Sequence, residues 1–351
     1  MCIDDLLKAA VVKKASDLHL TEGISPMIRL HGQLMKLEFS VLTAADTEKF
    51  VADLISEEQL KLFKKQGELD FSYVIEGLSR FRVHVFQQRG TIALAIRTID
   101  ENVPTLHELG LPVSLANLTR LSRGLVLVTG PTGSGKSTTL AALIHFINTE
   151  RAVHIITLED PIEYLHKPCR SIVHQRQIYR DTPSFPRALR AALREDPDVI
   201  SVGEMRDMET MTTVMTAAET GHLVFATLHT SDTSQTLDRM IDGFPPYQQQ
   251  QIRNQLSLVL QAVISQQLLP TIDKNGRVVA LEILLATPAV RSLIREGKTH
   301  QILSVIQTSG KTGMQSMDMD LARLYRSGVV TLDEVKARAS DPETWVRMFN
   351  R

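Results

Sequence analysis

The chain carries a glycine-rich pattern, G-x-x-x-x-G-K-[ST], that is typical of a phosphate-binding loop. Its residues are Gly130, Pro131, Thr132, Gly133, Ser134, Gly135, Lys136, Ser137 and Thr138. Glycines allow consecutive backbone N–H groups to turn inward around a polyphosphate, and a helix that starts there adds the positive end of its dipole. Lys136 would then contact the β- and γ-phosphates, and Ser137 would offer its hydroxyl to Mg²⁺. The pattern predicts a nucleotide site.

A carboxylate follows an apolar run that reads as a buried strand, residues 198–202. Ligands of open α/β sheets bind at the carboxyl ends of the strands, so we expect Glu204 beside the phosphates. Gly203 stands where ATPases usually carry an aspartate, and Mg²⁺ would therefore be held by Ser137, by water, and by Glu204 partly through water. Glu204 is also a candidate to polarise the attacking water. A solvated acid at a strand end is the alternative interpretation.

A second apolar run, residues 153–158, ends in the acidic segment Glu159-Asp160-Pro161-Ile162-Glu163. Proline ends the strand and fixes the turn that follows it. The three carboxylates could bind Mg²⁺ through water or serve as a base. The chemistry of the residues does not choose between Glu163 and Glu204 as the base.

Histidines flank a further strand, residues 222–228, and arginines are spread over the strands before residue 100. His222 opens the strand and His229 closes it, so His229 would face the γ-phosphate and could hydrogen-bond to it. A lone histidine is more often structural. The arginines are Arg80, Arg82, Arg89 and Arg97; surface charge is the ordinary interpretation and an arginine finger the functional one.

The length of 351 residues and the order of the predicted strands and helices indicate two domains. Residues 1–100 mix strands and helices without regular alternation, which favours a small α+β domain. Within them, residues 43–65 are predicted as one helix with Thr43 as its N-cap. A linker at 101–112 leads to a core at 113–287, where strands at 125–129, 153–158, 198–202 and 222–228 alternate with helices, as in a parallel sheet. A helical, charged region covers 288–351.

Composition excludes several classes of function. The net charge is −1, so no basic field favours nucleic acid. Cys2 and Cys169 are the only cysteines, which predicts no zinc motif and a reducing compartment. An acidic start and the lack of an 18-residue apolar window predict neither a secretory signal nor a membrane span, and association with a membrane complex stays open.

Several segments together resemble the secretion-ATPase superfamily, and within it the type IV pilus retraction ATPases. The matching segments are Ala15–Leu20, Arg80–Val83 with Ile96-Arg97, the loop at 130–138, the Asp box at Glu159–Glu163, the Walker B segment Gly203–Asp207, the His box from Thr220-Gly221-His222 to His229-Thr230, and the C-terminal segments 290–298 and 313–318. The last two segments and the lack of a tetracysteine motif separate the chain from pilus-assembly and type II secretion ATPases. His84 and Tyr179 depart from the family pattern.

The resemblance implies a RecA-like P-loop ATPase domain preceded by a PAS-like domain, ATP and Mg²⁺ as ligands, and a homohexamer that drives pilus retraction. It implies Glu204 as the catalytic glutamate, Glu163 as the Asp-box carboxylate, and Arg82 and Arg97 as contacts to phosphate in trans or across a cleft. The implied partners are an inner-membrane pilus platform protein and a homologous second motor. The implied location is the inner face of the cytoplasmic membrane, where the protein would be peripheral.

Other functions stay open at this stage. An accessory retraction motor, or a pilus-assembly or type II secretion ATPase, would carry the same site. A nucleotide-gated scaffold would bind ATP with little turnover, and a nucleic-acid motor would need the basic stripe that this sequence lacks.

Overall fold

Two units divide the chain, Met1–Asn102 and Val103–Arg351. The computed structural model describes residues 2–30, 33–99, 102–273 and 276–339. The predicted boundary at residues 100 and 101 lies outside the described residues, as do residues 340–351 of the predicted C-terminal region.

Strands and helices mix in the first unit. Its elements are α1 (Ile3–Val12), β1 (Asp17–Leu20), β2 (Met27–Leu30), β3 (Gln33–Lys36), α2 (Ala44–Leu54), α3 (Glu57–Gln66), β4 (Glu68–Ile75), β5 (Ser79–Gln88) and β6 (Thr91–Ile99). The strands form an antiparallel sheet in the order β3-β2-β1-β6-β5-β4. Phe50, Phe63 and Phe81 are buried in the core that the sheet shares with the helices. The predicted small α+β domain is confirmed.

The single helix predicted over residues 43–65 is wrong, because the structure breaks it into α2 and α3. Thr43 does cap α2, as predicted, in a capping box with Asp46. Ile55 is extended, and the Ser56 hydroxyl accepts from the backbone N–H of Gln59 to begin α3. The Ser56–Gln59 capping box bonds the N–H groups that are free at the start of a helix. It therefore begins a new helix within a stretch whose apolar spacing predicted a single one.

The second unit is built around a mostly parallel sheet. Its elements are α4 (Val113–Leu118), β7 (Gly124–Thr129), α5 (Lys136–Glu150), β8 (His154–Glu159), β9 (Ile172–Gln177), α6 (Phe185–Ala192), β10 (Val199–Val202), α7 (Met208–Glu219), β11 (Leu223–Leu228), α8 (Thr233–Asp242), α9 (Pro246–Val259), β12 (Leu260–Pro270), β13 (Arg277–Leu285), α10 (Pro288–Arg295), α11 (Ile302–Thr308), α12 (Met317–Arg326) and α13 (Leu332–Lys336), with 3-10 turns at Thr299–Gln301 and Gly310–Thr312. The strand order is β13-β12-β7-β11-β10-β8-β9, and the β12–β13 pair is antiparallel.

The predicted strands form the middle of this sheet as β7, β11, β10 and β8. Every residue of β7, β10 and β11 is buried, because apolar clusters cover both faces of the sheet. Continuous apolar strands are expected in a parallel sheet with helices on both sides. The parallel pairing brings the carboxyl ends of these strands to one edge. No helix of the described chain has both the length and the apolar character that crossing a membrane requires.

Glu282 of β13 is a buried carboxylate that holds the starts of two helices. One oxygen accepts from the backbone N–H and the hydroxyl of Thr233 at 2.9 and 2.7 Å, and the other accepts from the Met317 N–H at 3.4 Å. The Glu282→Gln substitution replaces an acceptor with an NH₂ group that can only donate. We expect it to lower the free energy of unfolding by about 1–3 kcal/mol. The melting temperature measures this effect.

Glu209→Gln is the matched control in the same unit, because Glu209 pairs with Arg190 while more than half of its side chain is exposed. We expect that control to change stability by less than about 1 kcal/mol. A melting temperature of the Glu282→Gln protein equal to that of the Glu209→Gln protein would contradict this role for Glu282.

Candidate functional site

The glycine-rich loop lies between β7 and α5, where the strand–loop–helix pattern places it. Gly130 has a φ of +147°, and a Cβ there would lie 2.3 Å from the backbone oxygen of Gln266. Gly135 has a φ of +88° and is the N-cap of α5, which begins at Lys136. Both positions therefore require glycine, for close approach at the first and for left-handed backbone at the second. The loop presents the start of a 15-residue helix to any anion bound there.

Lys136 is a buried cation at the start of this helix. Its Nζ donates to the carbonyl oxygens of Gly130 at 2.8 Å and Pro131 at 3.0 Å, and it lies 3.4 Å from Nδ1 of His229. Burial lowers the pKa of Lys136, while the negative charges of Glu204 and Glu163 partly oppose that shift. Lys136 therefore interacts electrostatically with Glu204 and Glu163, the two candidates for the base.

Glu204 follows β10 and faces the end of β11. Its carboxylate lies 2.5 Å from the guanidinium of Arg206 and 3.3 Å from Nε2 of His229. Only 14% of the Glu204 side chain is exposed. Hydrogen bonding to Glu204 raises the pKa of Arg206, and the charges of Glu204 and Asp160 add to that shift. His229 therefore bridges Lys136 and Glu204, and the structure brings these three predicted residues together.

The acidic segment after β8 lies beside the loop as well. The Glu159 carboxylate accepts from the Thr157 hydroxyl at 2.6 Å and from the Gln175 amide at 3.1 Å, and also from the backbone N–H of Glu163. Burial raises the pKa of Glu159, and these hydrogen bonds counteract the shift. Glu163 is exposed. Glu159 thus shapes the turn, while Glu163 keeps its carboxylate available to solvent.

Close packing explains why Gly203 replaces the aspartate expected before Glu204. A Cβ at Gly203 would lie 3.1 Å from the carbonyl oxygen of Leu158 and 3.4 Å from Cα of Glu159. An aspartate at position 203 would therefore press on the strand end that carries the Asp box.

His222 is not part of this group. It precedes β11, at the amino edge of the sheet, where its carbonyl accepts from Gly124 N–H and its Nδ1 lies 2.9 Å from the Ala217 carbonyl. Seven residues of extended chain separate it from His229, which corresponds to roughly 23 Å. The strand-end rule that places His229 beside the loop therefore places His222 away from it, and the role of His222 in the His box stays a prediction.

Arg82 and Arg97 face each other across β5 and β6 of the first unit. Nε of Arg97 lies 3.0 Å from Asp17, and Nε of Arg82 lies 3.8 Å from Asp70. Their side chains are 65% and 43% exposed. Both guanidinium groups can therefore meet an anion in solution while an acid holds one side of each.

Three contacts were not predicted from the sequence. Arg206 pairs with Glu204, the Gln266 amide donates to the carbonyl of Ser134 at 2.7 Å, and the hydroxyls of Tyr164 and Thr138 lie 3.0 Å apart. Arg206 could have been found from its place two residues after Glu204. Gln266 carries no local signal, because it comes from a strand more than 100 residues away.

The protein oxygens at this site fit a Mg²⁺ ion that is held mainly by nucleotide phosphate and by water. Among the described residues, no group of three or more His, Cys, Asp or Glu is arranged around a common metal position. Mg²⁺ commonly takes one or two protein oxygens and completes its shell with phosphate and water. Both Glu204 oxygens already contact a basic group, so a contact of Glu204 to the ion through water suits this geometry better than a direct bond.

Comparison with known proteins identifies the family. The family model for Type II/IV secretion system proteins matches residues 1–337. The chain is 46% identical over 345 residues to the type IV pilus retraction ATPase PilT of Pseudomonas aeruginosa, with 98% of this chain and 100% of that protein covered. It is 46% identical over 339 residues to a twitching motility protein of Neisseria gonorrhoeae, with 97% and 91% covered. A crystal structure of the pilus retraction motor PilT with bound ADP superposes with a TM-score of 0.93 at 48% identity, covering 99% of this chain and 100% of that one. With its small N-terminal domain followed by a RecA-like ATPase domain, the chain belongs to the Type II/IV secretion system protein family.

Proposed function

We propose that this protein is an ATPase motor that powers type IV pilus retraction. The observation that carries the proposal is the convergence of Lys136, His229 and Glu204 at the phosphate-binding loop. Full-length similarity to a retraction ATPase supports the pilus role. ATP would be hydrolysed to ADP and phosphate, and the resulting domain movements would drive pilin disassembly.

Lys136 would change partners when ATP binds. Its ammonium group donates to two neutral carbonyl oxygens of its own loop, and phosphate oxygens are stronger, charged acceptors. The β- and γ-phosphates would take the ammonium group from Gly130 and Pro131 and fill the ring of backbone N–H groups at 130–138. Loop closure around phosphate would then be linked to a shift of Lys136 relative to His229.

Glu204 would orient and polarise the water that attacks the γ-phosphate. Its position near Lys136 and its low exposure suit a base that acts where charge develops. His229 contacts both groups and would sense the γ-phosphate through Lys136. Ser137 would hold Mg²⁺, Glu204 and Glu163 would contact it through water, and the ion would neutralise charge that develops on the phosphates.

The motor would act as a homohexamer, and Arg82 and Arg97 would contribute positive charge to the phosphates. The exposure of both side chains supports such a role. We further propose a peripheral position at the cytoplasmic face of the inner membrane, where the ring would act on a pilus platform protein, with or without a homologous second motor.

A gene-deletion strain tests the retraction role. We expect the strain to keep abundant surface pili and to lose twitching motility, because pilins would polymerise but not return to the membrane. Electron microscopy of pili and a twitching assay measure the two effects, and re-expression of the wild-type gene is the control. Absence of surface pili would indicate an assembly motor instead. Twitching that persists would indicate an accessory motor.

Phosphate release by the purified protein separates a motor from a nucleotide-gated scaffold. A rate near zero with ATP bound would favour the scaffold.

A further inference from the structure

A chain of buried hydroxyl groups connects the phosphate-binding loop to the His box. The Ser265 and Thr129 hydroxyls lie 2.7 Å apart, those of Thr129 and Thr236 lie 3.3 Å apart, and those of Thr236 and Thr230 lie 2.7 Å apart. Ser265, Thr129 and Thr236 are completely buried. Each of these groups would be costly to bury alone, so they stabilise one another as a unit.

Thr236 is the centre of this hydroxyl chain. Its hydroxyl donates to the Asp232 carbonyl at 2.6 Å, and the same single proton makes a longer second contact to the Thr129 hydroxyl at 3.3 Å. A lone pair of Thr236 then remains to accept from the hydroxyl of Thr230. Replacing Thr236 by valine would keep its shape, and it would remove the acceptor for Thr230 and the donor to Thr129.

The ends of the hydroxyl chain adjoin residues of the candidate site. Thr129 directly precedes Gly130, the first residue of the loop, and Thr230 directly follows His229. His229 itself is 48% exposed, and its ring contacts of 3.3 and 3.4 Å are long for hydrogen bonds. These ring contacts alone hold His229 weakly, so the backbone next to it contributes to fixing its position.

We propose that Thr236 is a positioning residue that holds His229 in register with Lys136 and Glu204 through Thr230 and Thr129. The proposal rests on the proposed function, because it assigns the register to ATP hydrolysis. Thr236 touches no phosphate-binding group directly, so nucleotide affinity should survive its loss while turnover falls. Small displacements of a catalytic group reduce rates strongly.

Kinetics of purified variants test this proposal. We expect Thr236→Val to lower kcat by about 10-fold, to leave the Kd for a fluorescent ADP analogue within about 2-fold, and to increase hydrogen exchange in the segment around His229. Thr236→Ser, which keeps the hydroxyl, should restore kcat. Thr47→Val is the control, because Thr47 is equally buried in a helix and donates to the Ala44 carbonyl in the first unit. Thr230→Val breaks the same hydroxyl chain at a less buried residue, should Thr236→Val fail to fold.

A double-mutant cycle with His229→Ala separates positioning from general stabilisation. If Thr236 acts through His229, Thr236→Val should cost little further kcat in the His229→Ala background. An equal loss of kcat in both backgrounds, or an unchanged kcat and unchanged hydrogen exchange at the His229 segment, would overturn the proposal. Wild-type protein that binds nucleotide without turnover would refute the proposed function, and hydrogen exchange would still decide whether Thr236 fixes this segment.

Discussion

Replacing Lys136 by alanine is expected to reduce ATP turnover on the order of 10³-fold. Lys136 supplies the buried positive charge at the start of α5, and no other lysine or arginine of the described residues is shown within hydrogen-bonding distance of Gly130 or Pro131. The charge that develops on the transferred phosphoryl group would lose the cation that the loop itself supplies. Phosphate release at saturating ATP measures the effect.

Loss of Lys136 should leave the fold intact. The ammonium group is desolvated in the loop, which is why its pKa is lowered, so its removal relieves a cost of burial. We expect a melting temperature close to that of the wild-type protein without nucleotide, and a smaller rise on addition of ADP, because fewer contacts bind the phosphates.

Lys311→Ala is the matched control for the Lys136 variant. Gly310-Lys311-Thr312 repeats the G-K-[ST] part of the loop's pattern, but it forms an exposed 3-10 turn that follows a helix instead of a strand. We expect its turnover to equal that of the wild type. Wild-type turnover in the Lys136→Ala protein would refute the site assignment.

Local sequence predicted those site residues whose place depends on one strand and the turn after it. The loop at 130–138, Glu204 and His229 each follow an apolar strand, and a parallel sheet brings such positions to one edge without further information. His222 lies at the other end of the same strand, so this argument does not place it at that edge. The family resemblance had joined His222 and His229 in one box, whereas the geometry separates them.

Contacts between segments that are distant in the chain could not be predicted from the sequence. Gln266 supports the loop from β12, a strand that was not predicted because its polar residues Gln266 and Gln267 interrupt the apolar run. The strand β9 lies at the sheet edge and has only two apolar residues, Ile172 and Val173, before four polar ones, so its sequence signal is weak. In the first unit, the Ser56 capping box outweighed an apolar period that continued across it.

The structure also distinguishes the two carboxylates that the sequence left equivalent. Glu163 is exposed, and its backbone N–H donates to the Glu159 carboxylate, which holds the turn. Glu204 is largely buried and contacts His229, and it follows β10, the neighbour of the strand that His229 follows. A base needs a fixed position near the attacking water more than it needs access to solvent. These contacts favour Glu204.

Replacing Glu204 by glutamine is therefore expected to reduce phosphate release on the order of 10³-fold while ADP and ATP still bind. Glutamine keeps the size of the side chain and one acceptor oxygen, so the position of Arg206 should change little, but it cannot accept the proton of the attacking water. Single-turnover phosphate release and binding of a fluorescent ADP analogue separate the two effects.

Glu163→Gln supplies the decisive comparison, because it makes the same chemical change on the exposed carboxylate near the same lysine. We expect it to reduce turnover only about 10-fold, through a weaker contact to Mg²⁺ by way of water. Should Glu163→Gln abolish turnover while Glu204→Gln retains it, the base would be Glu163. The contacts of Glu204 with Arg206 and His229 would then serve to hold the ends of β10 and β11 together rather than to activate water.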